Sequence, residues 1–258
     1  MGKRRMWILG AILAGLLGAV VQTQAGERHF LFNYETDVLG GGIRELETYT
    51  TYQFGRDRFF SGLLENVEME MGLGDGIQTS LYLNFEQVME DDGTGNIGNS
   101  LLFDGISNEW VFSLSDRESG LGFGLILEPE FKPDELELET KIILDRKIGD
   151  MVYTLNLTAE PEYHWIDDTS AFTFTPSVGI AYFLTGHLSF GLEAQDVNFY
   201  EGGASDSILS AGPVLFYAGS NWWTTLTVLP QIADLANGGL NLTDSEKWQV
   251  KLGTSFTL

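Results

Sequence analysis

The sequence predicts an all-β fold, an antiparallel up-and-down transmembrane barrel of about twelve strands. Three observations carry that expectation. Period-2 alternation recurs along the whole chain, the connections between the alternating segments differ in length from one side to the other, and the final segment is itself a two-faced strand. In that last segment Trp248, Val250, Leu252, Thr254, Phe256 and Leu258 share one parity, while Gln249, Lys251, Gly253, Ser255 and Thr257 share the other. One apolar and one polar face is what a strand needs when lipid lies outside and water inside.

The chain opens with Lys3, Arg4 and Arg5, an apolar run from Met6 to Val21, and Gln22-Thr23-Gln24-Ala25. A basic start, an apolar stretch of about sixteen residues and a small-residue site predict a cleaved signal peptide over 1–25, because a spanning helix needs roughly twenty apolar residues. No later segment is apolar over a helical length. Residues 26–42 form a periplasmic N-terminal segment carrying Phe30, Phe32, Tyr34, Val38 and Leu39. Its Gly40-Gly41-Gly42 is not a phosphate loop, since no helix follows. It lets the segment bend against the periplasmic mouth or into the lumen as a plug. Residues 43–258 then form the barrel.

Alternating segments are read at 44–54, 64–73, 77–87, 102–114, 120–131, 135–145, 151–165, 171–184, 187–198, 207–218, 222–230 and 246–258. The clearest sets Met151, Tyr153, Leu155, Leu157 and Ala159 against Val152, Thr154, Asn156, Thr158 and Glu160. Strands of about ten to fifteen residues exceed the five or six common in soluble sheets and suffice for a tilted membrane crossing. Gly74-Asp75-Gly76, Ser115–Ser119, Arg146–Asp150, Thr185-Gly186 and Gly219-Ser220-Asn221 read as short periplasmic turns. Met89–Ser100, Phe199–Asp206 and Ile232–Ser245 read as longer, polar extracellular loops. Aromatic residues fall in two groups: Trp110, Phe112, Tyr182, Phe183, Tyr217, Trp222, Trp223 and Phe256 near the short turns, and Phe131, Tyr163, Trp165, Tyr200 and Trp248 near the loops. Two interfacial belts are expected of a membrane barrel; a soluble barrel or sandwich would place the same rings in a core.

The leader, the alternating strands, the short turns and a terminal strand ending near Phe256 together resemble a Gram-negative outer-membrane β-barrel. Phe32-Asn33-Tyr34-Glu35-Thr36-Asp37-Val38-Leu39, followed by Glu45-Leu46-Glu47 and a first hairpin, is similar to the start of poorly characterised small outer-membrane barrels. The resemblance implies export to the outer membrane, and as partners outer-membrane lipid, lipopolysaccharide and the barrel-assembly machinery. It names no substrate. One departure is Leu258, where such proteins usually end in an aromatic residue.

Composition narrows the function. Cysteine is absent, which excludes disulfides, a thiolate nucleophile and a Cys-based zinc site. Three of the 14 Lys and Arg residues sit in the leader, leaving 11 against 37 Asp and Glu. A pI near 4.2 argues against nucleic acid as a partner. Hydrophobic content of 43% excludes disorder.

By parity the polar, lumen face carries Glu45, Glu47, Glu68, Glu70, Glu86, Glu109, Glu128, Glu130, Glu137, Glu139, Glu160, Glu162 and Glu193, with only Lys132, Lys141 and Lys251 as basic company. Counted from the short turns, Glu68, Glu109, Glu139 and Glu193 stand at similar heights and suggest an acidic belt. The hairpin over 128–139 is expected to set Glu128 near Glu137 and Glu130 near Glu135. Facing carboxylates repel unless a cation or a proton intervenes. One reading is a passive channel or transport-related barrel whose acidic lumen favours small cationic or neutral solutes. The other is a plugged structural or surface-interaction barrel.

Other sites are weaker. Glu90-Asp91-Asp92-Gly93-Thr94-Gly95-Asn96 has the oxygen ligands and glycines of a calcium loop but not its full spacing, so Asp91 and Asp92 read as solvated acidic tips with a minor Ca2+ alternative. His164 shares a strand face with Glu160 and Glu162 and is the best metal candidate, against the plainer reading of a rim hydrogen bond. His187 and Ser189 superficially resemble the pair of an outer-membrane phospholipase. No Asn or Asp is placed to orient His187, so no catalytic site and no required cofactor are expected.

Overall fold

The computed structural model describes residues 26–258, so the leader expected over 1–25 lies outside the described residues. Twelve strands follow one another: β1 (Arg44–Phe54), β2 (Phe60–Gly74), β3 (Ile77–Asp91), β4 (Ile97–Ser115), β5 (Gly122–Phe131), β6 (Glu135–Ile148), β7 (Met151–His164), β8 (Thr169–Thr185), β9 (Leu188–Glu201), β10 (Ala204–Ala218), β11 (Trp222–Asp234) and β12 (Trp248–Thr257). Each pairs antiparallel with its sequence neighbours, and β1 pairs with β12 from Glu45↔Thr257 to Phe54↔Trp248, closing the barrel. Closure leaves no unpaired edge, as a strand fold in hydrocarbon requires.

Alternation decides which side chains point where. Leu81, Leu83, Leu155, Leu192, Leu226 and Leu252 stand on the outer face, while Glu47, Glu68, Asn156, Glu193 and Thr227 are buried within. The short-turn end is tight: Asp75 and Gly76 take φ of 52° and 76°, the left-handed pair that a two-residue hairpin turn needs.

Two connections are shorter than the hydropathy pattern indicates. Met89 pairs with Asn99 and Val88 with Ser100, leaving 92–96 as the loop, and Ser205 pairs with Tyr200, leaving 202–203. Apolar alternation stops where lipid would stop, whereas the hydrogen-bond ladder continues through polar residues beyond it. The longest connection is 235–247. Two aromatic residues leave their expected belt: Trp223 is buried in the lumen beside Tyr49 and Phe216, and Phe183 packs on His29.

Candidate functional site: the lumen and the segment within it

Residues 26–42 contain neither helix nor strand, yet Phe30, Leu31, Asn33, Thr36 and Leu39 are buried. An irregular backbone out of water must find side-chain partners for its polar groups. The lumen wall supplies them. Glu193 accepts from the backbone N–H groups of Leu31 (3.0 Å), Phe32 (2.7 Å) and Asn33 (3.0 Å), and also from the Asn33 amide and the Thr227 hydroxyl. Asn156 accepts from Tyr34 N–H and donates back to the Tyr34 carbonyl, which Thr154 also contacts. Asp145 accepts from Thr36 N–H and hydroxyl, and Gln78 from Leu39 N–H. Thr225 donates to the Arg28 carbonyl and Lys251 to that of Leu31.

Apolar contacts repeat the match. Leu31 packs with Tyr49, Phe216, Ala218 and Trp223; Phe30 with Val152, Ala181 and Val214; Tyr34 and Val38 lie against Val111, Ile126 and Ile143. Two lumen glycines make the room. A Cβ at Gly253 would stand 2.7 Å from the Leu31 side chain, and one at Gly179 2.8 Å from the Phe30 ring.

At the short-turn end an ion network fixes the segment. Arg117, from the turn between β4 and β5, reaches inward to Glu35 and Asp37, with Asp145 at 3.5 Å. Glu35 also accepts from His29 Nδ1 and from the His29 backbone N–H, each at 2.9 Å. Burial works against charge on His29, but Glu35 and Glu27 outweigh it and hold the imidazole's pKa up at about 9. Burial likewise opposes ionisation of Glu35, and His29 and Arg117 overcome it, keeping that carboxyl well below its usual range.

Beyond the segment, the lumen toward the loop end is acidic: across the ladders Glu128 faces Glu139, Glu130 faces Glu137, and Glu137 faces Glu162. Nearer the short turns Glu47 faces Glu68 and Glu45 faces Glu70. The pairs in β5–β6 correct the expected register by two residues. Lys132 N–H closes the hairpin on the Glu135 carbonyl, which sets Phe131 opposite Leu136. Lys132 bonds to Glu135 (2.9 Å) and Glu137 (3.1 Å), and Lys141 to Glu139 (2.8 Å) while lying over the Tyr34 ring. Glu109 on β4 lies across β3 from Glu68 on β2, and Glu160 lies on β7 opposite Thr173. A cavity of about 210 Å³ opens among Tyr34, Tyr82, Glu128, Glu130, Glu139 and Lys251.

Glu193 stands apart from the acidic belt in which parity groups it, being spent entirely on the N-terminal segment and Thr227. Lys251 likewise serves the segment. Sequence reading missed Arg117, Asp145, Asn156 and Gln78 as its anchors. The available signal was the lumen parity of Val152, Phe216 and Trp223, apolar side chains that a water-filled interior would not hold.

The remaining candidates separate in space. His164 Nδ1 lies 3.2 Å from Glu135 and its Nε2 3.8 Å from Glu162, so the strand register adds Glu135 to the pair, where Lys132 already engages it. Asp91 and Asp92 accept from Gly93, Gly95 and Thr94 of their own exposed loop. His187 sits in the turn 186–187, and Ser189 is buried on the lumen face.

A closed twelve-stranded barrel with an apolar outer face and a polar lumen defines the class, that of outer-membrane β-barrels. The chain belongs to DUF6662, a family of unknown function, which it matches over residues 22–258. No curated protein matches it. Among solved structures it is similar to the COG4313 outer-membrane channel from Pseudomonas putida F1, with a TM-score of 0.65 at 9% identity over 86% of this chain and 97% of that one. The NanC porin gives 0.54 at 11% over 83% and 100%, and the KdgM porin 0.51 at 12% over 83% and 99%. At such identities the likeness is one of fold.

Proposed function

We propose that the protein is a passive channel of the bacterial outer membrane, with a lumen that favours small cations and is closed at its periplasmic end by residues 26–42. The observation that carries this reading is the charge of the lumen between that segment and the loop-end mouth. There Glu128, Glu130, Glu137, Glu139, Glu160 and Glu162 outnumber Lys132 and Lys141 beside them and Arg28 and Lys251, which line the same cavity. Carboxylates lining a narrow, low-dielectric passage raise the local concentration of cations and repel anions. The apolar outer face, the strand lengths and the likeness to channels and porins support insertion in the outer membrane, with the short turns in the periplasm. Outer-membrane lipid, lipopolysaccharide and the assembly machinery are the partners this implies, and no catalytic group is invoked.

A second reading, a plugged barrel with a structural role, draws on the number of wall side chains spent on the segment. Planar-bilayer recording separates the two. The full chain is expected to show a small, cation-selective conductance, and a chain lacking residues 28–39 a larger one of the same selectivity. Anion selectivity in both would reject the acidic passage; silence in both would establish the structural barrel.

A further inference from the structure

Five lumen carboxylates on the β1–β4 part of the wall are buried: Glu45 and Glu47 on β1, Glu68 and Glu70 on β2, and Glu109 on β4, across β3 from β2. None of them forms an ion pair with any described residue. The nearest cation, Arg28, reaches Glu47 only through Tyr49, donating to the Tyr49 hydroxyl at 2.9 Å, which in turn donates to Glu47. Glu45 is served by the Ser255 and Thr257 hydroxyls, and Glu70 by the Gln78 amide. Glu68, only 1% exposed, has the Ser80 and Tyr82 hydroxyls nearby but no well-formed hydrogen bond on either oxygen among the described residues, and Glu109, which accepts from Tyr82 at 3.4 Å, lacks one on Oε2. A buried carboxylate left unpaired is costly, so something must neutralise this row.

A second feature is independent of the acids. Ser80, 2% exposed, lies on β3 directly between Glu70 on one side and Glu109 on the other, and its hydroxyl also has no well-formed hydrogen bond among the described residues. Its hydroxyl stands beside Glu68, Glu70 and Glu109, whose ligand atoms lie within 4.8 Å of one another. That spread suits oxygens arranged around a common centre.

We propose that Glu68, Glu70, Glu109 and the Ser80 hydroxyl form a binding site for a hard divalent cation in the lumen wall. All the donors are oxygens, three of them anionic, which is the ligand set of Ca2+ or Mg2+ and unsuited to softer metals. The bound ion ties β2, β3 and β4 together beside the N-terminal segment. The site is distinct from His164 and from the Asp91–Asp92 loop, and it stands whether or not the lumen conducts.

The test uses the full chain refolded in detergent and stripped with a chelator, then titrated calorimetrically with CaCl2 and separately with MgCl2. One ion per chain is expected from at least one of the two salts, together with a rise in the thermal midpoint. Glu68→Gln and Ser80→Ala should each weaken binding, the former by roughly tenfold or more because it removes an anionic ligand. Asp91→Asn should leave binding unchanged. Folding of each variant is read from its heat-dependent gel migration, and if Glu68→Gln fails to fold, Glu109→Gln takes its place. The proposal is overturned if the wild type takes up neither ion saturably, or if binding survives Glu68→Gln and Ser80→Ala intact. It is also overturned if Glu68→Gln is more heat-stable than the wild type and neither chain responds to the salts, because protons would then neutralise the row.

Discussion

Glu193→Ala is expected to release the N-terminal segment from the lumen and raise the bilayer conductance several-fold. Glu193 collects three consecutive backbone N–H groups, one side-chain amide and the Thr227 hydroxyl. Each buried N–H stripped of its acceptor costs on the order of 1–3 kcal/mol, so the three together, about 3–9 kcal/mol, offset the roughly 3–6 kcal/mol that burying Phe30 and Leu31 returns. The balance that keeps the segment in the lumen is thereby removed. The barrel ladder does not involve the Glu193 side chain, so heat-dependent gel migration should still report a folded barrel. A variant that keeps wild-type conductance while folding normally would show that the segment is held by something other than Glu193. Glu193→Gln is the informative companion: it retains one acceptor oxygen and should release the segment only partly.

The second large effect is alkaline release. His29 holds its proton up to about pH 9 in the folded protein against an ordinary 6.5, which corresponds to roughly 3 kcal/mol favouring the docked segment. Because the folded-state pKa is raised, that contribution is complete below about pH 6.5 and disappears as pH climbs through about 9. Glu35 acts in the opposite sense. Its carboxyl is held low, so its contribution is present above the ordinary value of 4.5 and is lost on acidification below it. The segment should accordingly be held most firmly between about 4.5 and 6.5. Protease cleavage within 26–42 should accelerate as pH rises past 9, and His29→Gln should flatten that rise. A cleavage rate independent of pH between 6.5 and 10, after correction for the protease itself, would remove His29 from the lock.

Much of the wall was legible in the sequence. The alternation of Met151, Tyr153, Leu155 and Leu157 marks β7 because lipid and lumen impose a period of two, and Gly74-Asp75-Gly76 marks a turn because only such residues take its left-handed conformations. Pairings across a connection were less legible. Glu128 meets Glu139 because Lys132 N–H bonds to the Glu135 carbonyl, a choice of loop geometry that hydropathy does not encode. Trp222 and Trp223 are adjacent, so one of them must point inward, yet nothing local says that Trp223 has Leu31 to pack against.

The contacts of the N-terminal segment were the least legible. Leu31 and Glu193 are 162 residues apart, and an irregular segment has no periodicity from which to read its partners. Parity placed Glu193 in the lumen, which is where it lies, but could not distinguish a carboxylate awaiting cations from one already occupied by backbone N–H groups. Gly179 and Gly253 follow the same logic. Each looks like an ordinary small residue in a strand, and each is a place where a larger side chain would collide with Phe30 or Leu31.

That residues 26–42 are threaded through the lumen and satisfied there by wall side chains is tested most directly by amide hydrogen exchange on the folded barrel. The account predicts slow exchange at Leu31, Phe32, Asn33, Tyr34, Thr36 and Leu39, although none of these residues lies in a helix or strand, with protection at 31–33 lost in Glu193→Ala. Exchange of these six amides at the rate of an unstructured peptide, in a barrel whose strands are protected, would contradict it.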